Sequence, residues 1–100
     1  MPFQNCLVQT FKTRPIQRSA PASSGVYGLS NAREWIYIGE TDNIQARLLD
    51  HLAETTTLLA GCRPTGFSFE VCDPTDRAAR RRRLILELAP ACAGDLAVAR

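Results

Sequence analysis

The chain has no apolar run near the ~18 residues that a membrane-spanning helix needs. It has no basic stretch leading into an apolar one at its start, so no secretory leader is legible and the cytoplasm is the expected address. Its four cysteines, Cys6, Cys62, Cys72 and Cys92, form no C-x-x-C pair. The single histidine, His51, completes no zinc pattern with them. They read as reduced, half-buried apolar residues. No internal repeat runs through the chain, which excludes a solenoid.

What is present fits one globular domain. One hundred residues with 45% hydrophobic and 22% charged side chains support one modest core. The net charge of +2 says little, but its distribution says more. Residues 1–24 carry three basic and no acidic side chains, residues 25–72 three basic and six acidic, and residues 73–100 six basic and four acidic. Arg80, Arg81, Arg82 and Arg83 are consecutive. Such a run serves as a solvated helix face or as a phosphate-binding surface.

Leu7 to Phe11 has the composition of a short strand. Lys12 to Ser24, with Pro15 and Pro21, reads as an extended arm or lead-in. Gly25–Leu29 and Trp35–Gly39 read as strands joined by a polar connection, Ser30 to Glu34, of hairpin length. Alternation places Trp35, Tyr37 and Gly39 on one side, Ile36 and Ile38 on the other. Asp42 is the expected helix cap, with Gln45 completing a capping box. Ile44, Leu48 and Leu52 then form a buried stripe, and Arg47 and His51, one turn apart, lie on or beside it. Phe67, Phe69 and Val71 alternate through a third strand. Asp73-Pro74 predicts a helix start and Pro90 its stop, with Leu84, Ile85 and Leu88 as the apolar stripe. Extended backward, that stripe reaches Arg81 and Arg77.

The expected fold is mixed α/β. A small three-stranded sheet opens on an antiparallel hairpin, in the order strand, strand, helix, strand, helix, with the helices packed on the sheet. Residues 25–90 would form the domain, residues 1–24 a lead-in and residues 91–100 a tail.

Gly25-Val26-Tyr27 followed by Tyr37-Ile38-Gly39, nine residues apart, resembles the two elements that name the GIY-YIG nuclease superfamily. Thr41, Asn43, Arg47, Leu48 and His51 match the helix that follows them in that family. The Leu84-Ile85 pair with Leu88 and Pro90 resembles its later helix. The resemblance implies a phosphodiester hydrolase that acts on nucleic acid, DNA first, with one Mg2+ or Mn2+ when active. It implies Tyr27 as base or base relay, Tyr37 as positioner of water and the metal shell, Arg47 as ligand of the scissile phosphate, and His51 as an auxiliary phosphate contact or proton handler. Taken singly, each of these residues also serves packing: a strand tyrosine, a core histidine, a snorkelling arginine.

Three positions depart from the family pattern. The metal-binding glutamate, three residues before the Leu-Ile pair, is Arg81 here. The late asparagine is replaced at about Ala93. The residue after the second motif, often basic or small and polar, is Glu40. A guanidinium does not ligate a divalent cation, but it offers the same sign of charge to a phosphate. Glu40 and Arg81 are therefore expected to form a charge exchange across one site, either as an ion pair or with Glu40 as metal ligand. Arg77, Arg80 and Arg81, with Arg47, are candidate phosphate contacts. Three readings follow: a nucleic-acid-binding domain with impaired cleavage, an active endonuclease using Glu40, and a protein-interaction module whose arginine helix meets an acidic partner.

Overall fold

The computed structural model describes residues 8–53 and 64–91. In chain order these form β1 (Gln9–Thr10), α1 (Thr13–Ser19), β2 (Gly25–Ser30), β3 (Trp35–Thr41), α2 (Ile44–Ala53), β4 (Gly66–Val71) and α3 (Arg77–Leu88). The strands pair antiparallel in the order β1-β4-β2-β3. The sheet therefore has four strands where the sequence suggested three, and the order begins with an added strand and helix. The added strand is two residues long, Gln9 pairing with Phe67 and Thr10 with Gly66, too short to show any alternation.

The expected lead-in contains a helix because Pro15 sits in the first turn of α1. The N–H it lacks there would have had no intrahelical partner in any case. Lys12 at the N-cap gives no side-chain cap. Instead, Ile16 is fully buried, and the Gln45 side-chain amide donates to the carbonyls of Ala20 and Gln17 at 3.1 and 3.4 Å. Gln45 thus clasps α1 instead of closing a capping box. The cap of α2 is Asn43, whose Oδ1 accepts from the Ala46 N–H at 3.0 Å, one residue later than expected.

β2 is central and buried along its whole length. On one side Tyr27 lies between Gly39 and Phe69, and Leu29 between Tyr37 and Phe67. These residues join Phe11, Ile16, Ile44 and Leu48 in the main core. On the other side Val26 lies between Glu40 and Glu70. There Val26 and Ile38 pack against Leu84 of α3. The register shifts where Ser30 pairs with Trp35 while Leu29 pairs with Tyr37. Ile36 is left as the extra residue of a bulge. Strict alternation fails at that point: Ile36 shares the main core with Tyr37, and Trp35 packs on the Val26–Ile38–Leu84 cluster.

After Asp73 the chain makes one turn before α3, so the helix begins at Arg77. It ends at Leu88, and Ala89 adopts φ 48°. The following Pro90 bars Ala89 from the right-handed helical region, and the left-handed cap lets its N–H still reach the Ile85 carbonyl at 2.9 Å. Cys72 is a free thiol, and burial followed by the Glu70 carboxylate pushes its pKa up, which fits an unreactive packing residue. Cys6, Cys62 and Cys92 lie outside the described residues, as does Ala93.

Candidate nucleic-acid site

Tyr27, Tyr37 and His51 meet on the α2 side of the sheet. Their exposures are 1%, 5% and 5%. The Tyr27 hydroxyl and His51 Nε2 are hydrogen-bonded at 2.7 Å, the donor being set by the imidazole tautomer. The ring centroids lie 5.5 Å apart for Tyr27–His51, 5.6 Å for Tyr37–His51 and 6.0 Å for Tyr27–Tyr37, all tilted or edge-on. Two strands deliver the tyrosines, and α2 delivers the histidine one turn after Arg47.

Arg47 touches this cluster from its rim. Burial pushes the Tyr27 pKa well above the ordinary phenol range, and neighbouring Tyr37 adds to the rise. The Arg47 guanidinium opposes it, by charge and by hydrogen bond. Arg47 is partly exposed and stands 3.9 Å from the exposed Asp50, a long, solvent-screened contact. The donors of its fork that are not turned to Tyr27 are left at the rim, where an anion would meet them.

Gly39 makes the arrangement sterically feasible. A Cβ there would stand 2.5 Å from the Tyr27 hydroxyl oxygen. The tyrosine ring occupies the space that a side chain on its cross-strand neighbour would fill. Gly25 is equally constrained, since a Cβ there would run into the Glu70 carbonyl and the Ile44 side chain. The glycines at the two ends of the paired motifs are thus close-approach positions.

The α3 side holds the expected charges in a different pairing. Glu40 is bound by Arg77, not Arg81: Arg77 Nε donates to Glu40 Oε1 at 3.1 Å. Arg77 also donates to Ser24 Oγ at 3.2 Å. Arg80 makes a two-pronged pair with Glu70, at 2.9 and 3.0 Å. Arg81 donates from Nε to the Ile38 carbonyl at 3.3 Å, on the edge strand. The expected Glu40–Arg81 exchange is therefore replaced by a three-arginine pattern. The reason is helical spacing: Arg77 lies one turn before Arg81, directly over the row Glu40–Val26–Glu70, and Arg80 reaches the far end of that row. Alternation alone gives Glu70 only a face opposite Phe67, Phe69 and Val71; the pairing of β4 with β2 sets it beside Val26 and under Arg80.

Arg81 nevertheless stands close to the tyrosine cluster. It reaches the carbonyl of the Ile38–Gly39 peptide, and the Tyr27 hydroxyl lies over Gly39.

The sequence matches no family model and no curated protein. Solved structures do match. The magnesium-bound GIY-YIG N-terminal endonuclease domain of UvrC from Thermotoga maritima is 24% identical, with a TM-score of 0.63 over 78% of this chain and 94% of that one. An asparagine-to-alanine point mutant of the same domain, bound to its catalytic divalent cation, gives a TM-score of 0.64 at 24% identity over 78% of this chain and 93% of that one. This chain has the GIY-YIG fold.

Among the described residues, the side chains present do not fit a divalent cation. Hard cations take oxygen ligands, with carboxylates foremost. Glu40 and Glu70 each already face a guanidinium, and the α3 residue hydrogen-bonded to the β3 backbone, Arg81, is itself a cation. No group of three His, Cys, Asp or Glu side chains suited to an ion occurs among the described residues.

Proposed function

We propose that this domain binds nucleic acid, DNA in the first instance, through a GIY-YIG-type site, and that its phosphodiester hydrolysis is weak or lost. The observation that carries this reading is Arg81, held on the Ile38 carbonyl across the edge strand from Tyr27. Arg47 on one side and Arg81 on the other bring two positive charges to one strand. Each guanidinium is suited to a phosphate oxygen through charge and its fork of donors. It does not supply the Lewis acid that a metal gives the leaving oxygen.

The tyrosine–histidine cluster fits the same reading. Tyr27, like any phenol, is protonated at neutral pH, and burial makes the loss of that proton harder still. With His51 Nε2 at 2.7 Å, it can hold or hand over a proton, but it is no free phenolate base. Arg77 and Arg80 leave the set of candidate phosphate contacts, because both are ion-paired within the domain. Arg82 and Arg83 are exposed and take their place on the outer side of α3.

The test uses the whole chain with labelled single-stranded and duplex DNA. Binding is expected in EDTA and should weaken steeply as salt rises. With Mg2+ or Mn2+, Arg81→Glu is expected to gain nicking, and a second change, Arg47→Ala, should abolish that gain. Nicking by the unmodified chain that disappears in Tyr27→Phe and Arg47→Ala would show an active enzyme and overturn the impairment. Absence of DNA binding at low salt would overturn the reading altogether.

A further inference from the structure

The first 33 residues contain four basic side chains and no acidic one. Three of the four, Lys12, Arg14 and Arg18, lie at the start of α1 or within it, and all three are exposed. Arg14 and Arg18 are one turn apart, so they project from one side, about 6 Å apart along the axis. Among the described residues no ion pair engages any of the three.

The other side of α1 does all the structural work. Ile16 enters the core, and Gln45 of α2 binds the Gln17 and Ala20 carbonyls. At the opposite end, Lys12 to Pro15 lie beside Leu52, which directly follows His51. α1 therefore runs antiparallel along α2, the helix that carries Arg47 and His51. A helix face kept soluble by charge ordinarily mixes signs, since opposite charges one turn apart support the helix and like charges oppose it. A single-sign face is better matched to a polyanion.

We propose that the outer face of α1 is a second contact for the nucleic-acid backbone, in which Lys12, Arg14 and Arg18 bind phosphates flanking the one at Arg47. The proposal rests on the nucleic-acid reading of the Arg47 site and extends it to an element outside the two named motifs. Each phosphate neutralised on duplex DNA adds about 0.9 to the slope of log affinity against log salt, and about 0.7 on a single strand.

The experiment compares the full chain with a Lys12→Gln/Arg14→Gln/Arg18→Gln variant. Fluorescein-labelled duplex and single-stranded DNA are titrated over a salt series in EDTA. Circular dichroism melting confirms that both proteins are folded to the same extent. The expected result is weaker binding with a salt slope lower by about 2 to 3 on duplex. Arg47→Ala should lower it by only about 1. Wild-type binding with an unchanged slope in the triple variant would overturn this proposal while leaving the Arg47 reading intact. No binding by the wild-type chain would overturn both. If the triple variant melted early, the exposed single change Arg18→Glu would decide, a slope equal to wild type counting against the proposal.

Discussion

The two sides of the sheet bury polar groups by opposite means. Under α2, the rings of Tyr27, Tyr37 and His51 pack tilted or edge-on, and Tyr27 and His51 share a 2.7 Å hydrogen bond. Under α3, Glu40 and Glu70 are full charges cancelled by Arg77 and Arg80. In the first arrangement burial raises the Tyr27 pKa. The second shifts charge toward permanence: the Glu70 carboxylate, through its hydrogen bond, raises the Arg80 pKa still further from any working pH. The α2 side thus buries polar rings through packing and one hydrogen bond, and the α3 side fixes a helix over a row of strand residues through ion pairs. Arg81 belongs to the second side and is held there on the backbone carbonyl of Ile38 in the edge strand.

Removing one partner of the more buried ion pair should have the largest effect on stability. Glu70 is 9% exposed as a side chain and Arg80 24%. Arg80→Ala strands a nearly buried carboxylate and should cost about 2 to 3 kcal/mol by urea denaturation. Replacing both with leucine should recover most of that loss, because the desolvation penalty leaves together with the pair. A loss below about 0.5 kcal/mol would show that the α3 side is not organised by this pair.

Next in size is Tyr27→Phe on the α2 side. It leaves the ring packing in place and deprives His51 Nε2 of its partner, which should cost about 1 to 2 kcal/mol. The same residue makes stability depend on pH. Its folded pKa is raised above the unfolded value of about 10. The folded state therefore binds its proton more tightly than the unfolded state does. The contribution is fully present below pH 10 and is lost as pH rises above it. Denaturation curves from pH 8 to 11.5 should fall steeply at the alkaline end for the wild type and less steeply for Tyr27→Phe. Equal alkaline slopes would place Tyr27 in a more solvated setting than its 1% exposure indicates.

The α2 side was largely legible in the sequence. The two short motifs set strands, a stripe at helical spacing set α2, and both pointed to Tyr27, Tyr37, Arg47 and His51. Legibility failed where partners were chosen by tertiary registry. Glu40 had two arginines within helical reach, and only the lie of α3 across β3 selects Arg77 over Arg81. Glu70 alternates with core residues in its own strand, so its role emerges only when β4 is known to sit beside β2. The bulge at Ile36 hides in a segment whose composition fits strict alternation. The short strand within Leu7–Phe11 was legible, but its place in the sheet was not, because two paired residues carry no register signal; α1 escaped because it carries its proline in the one turn that tolerates it.

The smallest effect expected is that of Arg77→Ala, and it sharpens the contrast within the α3 side itself. Glu40 is 32% exposed as a side chain and Arg77 25%, so water solvates the carboxylate once the arginine is gone. The loss should be about 0.5 to 1 kcal/mol, well below that of Arg80→Ala. Salt separates the two cases further. At about 1 M NaCl the Debye length falls to roughly 3 Å, which screens an exposed pair and spares a buried one. The deficit of Arg77→Ala should therefore disappear in high salt, while that of Arg80→Ala persists. If both vanish together, the two pairs are equally solvated and burial does not rank them. If both persist, Glu40 is as deeply committed to holding α3 as Glu70, and the end of β3 beside Gly39 is a structural joint as much as the rim of a site.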